Sequence, residues 1–175
     1  MKMIAEIGAG VLLLEMPASS DERGSFIKLA DFRLDKIRRF EQRQLNYVVN
    51  KHKFTCRGLH YQPGEFAESK IFRVLQGSIQ LVLVNVDSMS HFYKLTYSQL
   101  IERPELAVWV PRGFATGYYT LEDSTTVLYS SDNDYHPEAE MGIRWNDPCL
   151  KNISLPPYQA LAISEKDQAW PDLIS

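Results

Sequence analysis

The segment that most limits what this chain can fold into is Gly77-Ser78-Ile79-Gln80-Leu81-Val82-Leu83-Val84-Asn85-Val86. A strand points successive side chains to opposite faces, and here nearly every position after Gln80 is apolar, so both faces need cover. The run reads as a central strand. Its neighbours are supplied by other short apolar or β-branched runs at 10–16, 44–50, 70–75, 107–110, 118–121 and 125–130. Turn signals at Gln76-Gly77, Pro111-Arg112-Gly113 and Glu122-Asp123 separate them closely enough for an all-β sandwich or barrel. Helical periodicity is confined to 33–41, where Asp31 can cap a stretch with Leu34 and Ile37 on one face, and to the last twenty residues. The expected organisation is a single domain over residues 1–175, β-rich, with an N-terminal arm and a C-terminal extension.

Bulk properties exclude several function classes. At 175 residues the chain fits one core, and 45% hydrophobic against 23% charged residues is the balance of a folded globule rather than of a disordered chain. The net charge is −3 with no run of like charges, so no electrostatic footprint for nucleic acid is present. Glu6 interrupts the start where a signal peptide needs an apolar stretch, and no apolar run approaches the roughly 18 residues of a membrane span. We expect a cytoplasmic protein with no membrane partner. Cys56 and Cys149 stand far apart without CxxC spacing, so both are expected to be reduced and unreactive.

Of four histidines, His60 has the richest surroundings, in Arg57-Gly58-Leu59-His60-Tyr61-Gln62. A regular strand would put Arg57 and His60 on opposite faces, whereas a bulge at Gly58 would bring them together. Spacing alone leaves two readings open, a hydrogen-bonded structural histidine or a functional imidazole. A metal role fits poorly: metal-binding cupin barrels use a His-x-His pair with a later Glu and a further His, while here Tyr61-Gln62 follows His60 and Thr116 follows the Pro111-Arg112-Gly113 turn.

Several motifs occur together in one order. They are Asp21-Glu22-Arg23-Gly24-Ser25-Phe26, Gln44-Leu45-Asn46, the Arg57–Gln62 hexapeptide, Lys70-Ile71-Phe72-Arg73-Val74-Leu75-Gln76-Gly77 and Pro111-Arg112-Gly113-Phe114-Ala115-Thr116-Gly117-Tyr118. Tyr129, Tyr135-His136-Pro137-Glu138-Ala139-Glu140, Trp145-Asn146-Asp147-Pro148 and Ser164-Glu165-Lys166-Asp167 follow. From about residue 20 to the C-terminus the chain resembles the dTDP-4-dehydrorhamnose 3,5-epimerases, cupin-type enzymes acting on nucleotide-linked 4-keto-6-deoxy sugars. The resemblance implies a jelly-roll barrel with a short helical C-terminal extension, and a homodimer with an exchanged N-terminal arm. It implies deoxysugar biosynthesis for a bacterial polysaccharide, such as lipopolysaccharide, or a glycosylated metabolite, with no cofactor and no metal.

It also assigns roles by position. Removing the proton beside a ketone places charge on the ketone oxygen, so inversion needs a base, a cation near that oxygen and an acid on the far face. His60 matches the base, Asp167 the carboxylate that orients it, Tyr129 the acid, and Lys70 and Arg57 the cations near enolate and phosphates. Gln44, Asn46, Gln62 and Tyr135 match positions lining the sugar-nucleotide site, and Arg23, Phe26 and Thr116 match further substrate-side positions. The Glu138–Glu140 stretch reads as a solvated loop or a structural ion-pair partner rather than a catalytic pair. Thr116 departs from the family, which has a second His there. A short uncharged hydroxyl offers less than an imidazole, so fewer inverted centres are expected. Lys28 replaces a Glu, and Asn85 and Asp87 replace an Asp and an Arg, so the nucleotide could be GDP, CDP or UDP. A keto-isomerase and a non-catalytic nucleotide-sugar-binding relative remain as alternative readings.

Overall fold

A computed structural model describes residues 1–30, 35, 37 and 39–173. Through them run β1 (Lys2–Gly8), β2 (Val11–Glu15), β3 (Ala18–Asp21), β4 (Gly24–Ile27), β5 (Gln44–Asn50), β6 (Cys56–Tyr61) and β7 (Lys70–Gln76). β8 (Ile79–Asn85), β9 (Thr96–Ile101), β10 (Leu106–Val110), β11 (Phe114–Thr120), β12 (Thr125–Ser131) and β13 (Met141–Gly142) complete the set. Antiparallel pairing arranges them as a six-stranded sheet, β1-β2-β10-β7-β12-β5, a five-stranded sheet, β13-β6-β11-β8-β9, and a separate β3-β4 hairpin. This is the all-β jelly-roll architecture, built as two facing ladders rather than one closed barrel.

The core follows from strand alternation. Phe72, Val74, Val108, Val110 and Val127 from the larger sheet meet Ile79, Leu81, Leu83, Phe114 and Tyr118 from the smaller one. On β8 the intervening Val82 and Val84 face the other way, into a second cluster with Leu59, Ile143, Trp145 and Leu150. β8 is thus covered on both faces, as its unbroken apolar run requires. A third cluster, including Leu12, Leu14, Ile71, Ile37 and Phe40, covers the outer face of the six-stranded sheet.

The C-terminal expectation needs correction. Among the described residues of the last twenty, α-helix is confined to α1, Glu165–Gln168, after single 3-10 turns at Pro148–Asn152 and Tyr158–Ala160. Pro156 and Pro157 remove backbone donors at the start of that stretch and Pro171 stops it, so the segment lies extended and bridges Ala162 to Thr55. Much of the expected 33–41 helix and its Asp31 cap lies outside the described residues. The strand expected at 118–121 begins at Phe114, directly after the Gly113 turn. No helix among the described residues is long and apolar enough to cross a membrane.

Candidate active site

The site is assembled by a defect in a ladder. β6 and β11 pair Cys56 with Tyr119 and Arg57 with Tyr118, then slip so that His60 faces Thr116. Gly58 and Leu59 therefore oppose the single Gly117, a β-bulge. Gly58 sits at φ +98, and a Cβ there would lie 2.5 Å from the Thr116 carbonyl oxygen, so glycine is required on both counts. The bulge does what the sequence allowed: Arg57 and His60, which a regular strand would separate, line the same cavity. It also frees an amide, and the Gly58 N–H donates to Asp167 Oδ2 at 3.3 Å.

Asp167, from α1, thereby becomes part of the wall. Its Oδ1 lies 2.6 Å from His60 Nε2, and the Ser164 hydroxyl accepts from its backbone N–H. Burial pushes this carboxyl up, but the hydrogen bond and charge of His60, with the Gly58 and Ser164 bonds, outweigh it and hold the group below the usual carboxylate range. An ionised carboxylate only accepts, so Nε2–H is the donor to Asp167 and Nδ1 is the ring nitrogen left to exchange a proton. Nδ1 has a second carboxylate 3.4 Å away, Glu140 Oε1.

The Glu138–Glu140 stretch, expected to be a solvated loop or a structural ion-pair partner, divides its two acids between those readings. Glu138 is exposed and pairs with His136 at 3.1 Å, but the Glu140 side chain is only 8% exposed. The Tyr135 hydroxyl donates to its Oε2 at 2.7 Å and the Lys166 ammonium donates to the same oxygen. Burial raises the Glu140 carboxyl, yet these two bonds and the nearby His60 bring it below its ordinary range. Lys166 and Trp170 were likewise not singled out by sequence. The Trp170 indole N–H donates to Asp167 Oδ1 at 3.4 Å, and its ring stands edge-on to His60 at 6.1 Å. Gly142 lies opposite His60 in the β13–β6 ladder, and a Cβ there would come within 2.4 Å of the indole. The available signal was weak, one aromatic three residues after Asp167.

The remaining wall comes from the six-stranded sheet. Lys70, at the start of β7, is buried, with its ammonium 2.9 Å from Glu68 Oε1 and 3.4 Å from Thr116 Oγ1. Thr116 Oγ1 is 3.5 Å from the His60 carbonyl oxygen, so its hydroxyl is already held between two neighbours. Tyr129 on β12 stacks on Phe72 at 5.4 Å and faces Asn46 across the ladder. Burial raises its phenol pKa above the ordinary value, and the charge of Glu68 adds to that. His60, Lys70 and Tyr129 are the common wall of two adjoining cavities of about 280 and 300 Å³. Gln44, Asn46, Gln62, Tyr135 and Glu140 line the first, and Arg57, Thr116, Lys166 and Asp167 the second.

Two polar residues at this wall are engaged with the backbone. Both N–H groups of Gln62 donate to carbonyls, of Phe66 and Asp134, while its oxygen accepts from the His136 N–H. The Gln44 amide donates to Ser131 and Asn133. Arg57 donates to Asn50 Oδ1 at 2.9 Å. Arg23 and Phe26 line neither cavity: both lie on the β3–β4 hairpin, Phe26 69% exposed and Arg23 paired with Asp21. Burial pushes the Cys56 and Cys149 thiols up to about 12, and both are free. Among the described residues no three His, Cys, Asp or Glu side chains form a cation cage.

Such an arrangement can take a proton at Nδ1, hold negative charge near Lys70 and offer a phenolic proton from another side. Residues 7–175 match the family model for dTDP-4-dehydrorhamnose 3,5-epimerase. The Escherichia coli dTDP-4-dehydrorhamnose 3,5-epimerase is 33% identical over 163 residues, 90% of this chain and 86% of that protein. The Bacillus anthracis dTDP-4-dehydrorhamnose 3,5-epimerase, solved with TDP and PPi bound, superposes with a TM-score of 0.88 at 29% identity over 98% of each chain. The Legionella pneumophila dTDP-6-deoxy-D-glucose-3,5-epimerase, in complex with dTDP-4-keto-L-rhamnose, does so at 0.87 and 28% identity, covering 98% of this chain and 92% of that one. A match that runs from the first strand to the last residue, on the same two-sheet fold, means that the chain belongs to the dTDP-4-dehydrorhamnose 3,5-epimerase family.

Proposed function

We propose that the protein is an epimerase that inverts C3, C5 or both of a nucleotide-linked 4-keto-6-deoxy sugar in deoxysugar biosynthesis, without cofactor or metal. The observation that carries the reading is the His60–Asp167 pair: Asp167 Oδ1 lies 2.6 Å from Nε2, which leaves Nδ1 for a cavity that His60, Lys70 and Tyr129 line together. His60 Nδ1 takes the proton next to the ketone, and the electron pair moves onto the ketone oxygen beside the Lys70 ammonium. The imidazolium then lies between two carboxylates, Asp167 and Glu140, which stabilise it. Tyr129 delivers its phenolic proton to the other face of the carbon, and the resulting phenolate and imidazolium return to their starting states through solvent. Arg57 and Lys166 are the cations that suit the diphosphate.

Thr116 supports a second reading, a strong preference for one centre. Its hydroxyl is taken up between Lys70 and the His60 carbonyl, so it has little left for a second enolate or a turned sugar ring. We also propose a homodimer. β1 pairs with β2 of its own chain, and the projecting element is the β3–β4 hairpin, whose exposed Phe26 and Arg23 suit a partner's cavity. Incubation with a dTDP-4-keto-6-deoxyhexose in deuterated water, with EDTA present, tests the function. Label at C3 or C5 with an inverted product is expected. A protein that binds the nucleotide sugar yet exchanges neither hydrogen would contradict the reading.

A further inference from the structure

On the outer face of the six-stranded sheet Arg73 is a buried cation with no ion-pair partner among the described residues. Lys70, Phe72 and Val74 of β7 point between the sheets, so Arg73 points away from them, on the other face from the reaction cavity. It is 5% exposed, its Nη1 is sealed from solvent with no hydrogen-bond partner, and no carboxylate among the described residues forms an ion pair with it. Burial alone lowers its pKa, to about 10, which still leaves it charged at neutral pH. An unpaired buried charge is unfavourable, and Arg does not escape by losing its proton. A guanidinium in that position is suited to an anion arriving from outside.

The space for one is present. Arg73 lines a cavity of about 180 Å³ whose walls include Leu45, Ile71 and Leu128, with Gln42 and Ser130 at its polar side. A water molecule's share of volume is about 30 Å³, so the cavity accommodates a carboxylate with a few waters. Apolar walls strengthen the charge-assisted bond, and the planar fork of N–H groups matches the two oxygens of a carboxylate. We propose that the Arg73 cavity is a carboxylate-binding site on the other face of the sheet from the reaction cavities, with which it shares the Tyr129 position, and independent of the reaction assigned to them. The carboxylate is either a small free organic anion or an acidic side chain of a second copy of this chain.

Thermal unfolding and sedimentation velocity of wild type, Arg73→Met and Arg73→Lys, in acetate and in chloride at one ionic strength, test this. A free-anion site predicts a saturable rise in wild-type Tm with acetate, by mass action on the folded state, that Arg73→Met abolishes without changing the sedimenting mass. A second copy's side chain predicts no acetate response, with a shift to the smaller species in Arg73→Met that Arg73→Lys partly reverses. If Arg73→Met does not fold, Arg73→Lys carries both comparisons, with weaker acetate binding or weaker association expected from loss of the bidentate fork. Wild type without any acetate response, together with variants that sediment like it, would overturn the proposal.

Discussion

Tyr129 illustrates how much of this chemistry depends on neighbours rather than on the residue itself. Burial raises its phenol pKa first and the negative charge of Glu68 second, so the group stays protonated as a donor well into alkaline pH. Glu68→Gln removes that charge. The alkaline limb of the epimerisation rate is expected to move to lower pH, and an unchanged limb in a pH profile would separate Tyr129 from the titrating acid. Asp167 behaves in the opposite sense. Its folded carboxyl lies below the unfolded value of about 3.9, so its contribution to stability is complete above that value and is lost as pH falls through the folded one. Asp167→Asn is therefore expected to lower the urea midpoint at pH 6 and to lower it by less at pH 3. Equal gaps at both values would show that the ionised pair with His60 contributes nothing. Because the Gly58 bond is also lost in this variant, circular dichroism should accompany the comparison.

At the scale of elements, the glycine opposite His60 decides whether the His60–Asp167 pair stays covered. Gly142→Ala places a methyl group where the Trp170 ring lies, and overpacking of this kind costs about 1–3 kcal/mol or displaces the ring. We expect a red-shifted tryptophan emission and slower turnover with an intact fold. Unchanged emission and turnover would mean that Trp170 does not shield the pair. Sequence periodicity made the buried strands legible, because β8, β7 and β12 carry apolar runs that only a two-sided or well-packed strand explains. It made β1, β3 and β9 hard to see, since edge and hairpin strands such as Ala18–Asp21 are polar and exposed and carry no alternation. A bulge at Gly58 was open to sequence as the one way to bring Arg57 and His60 to one side, but spacing alone did not decide between it and a regular strand. Glu140 was not, because its burial depends on a loop that folds back at Ala139 N–H to the His136 carbonyl and on Lys166, both remote from any local pattern.

For the whole molecule, the hairpin that carries Arg23 and Phe26 stands outside its own chain's cavities, and the proposed homodimer would have it complete the partner's site. Mixing two inactive variants checks this. Phe26→Ala and His60→Ala dimers, dissociated and reassociated together, are expected to recover about a quarter of the wild-type sites, because half the dimers are hybrids with one intact site each. No recovery would place Phe26 within its own chain's site. The account as a whole rests on a base and an acid acting from different sides of one carbon. The stereochemistry of exchange in Tyr129→Phe against His60→Ala, followed by NMR in deuterated water, addresses this most directly. His60→Ala should slow wash-out of the substrate's α-hydrogen by at least about a hundredfold. Tyr129→Phe should continue to wash it out while retaining configuration. Wash-out at the wild-type rate in His60→Ala, or equal loss of wash-out and inversion in Tyr129→Phe, would contradict the assignment.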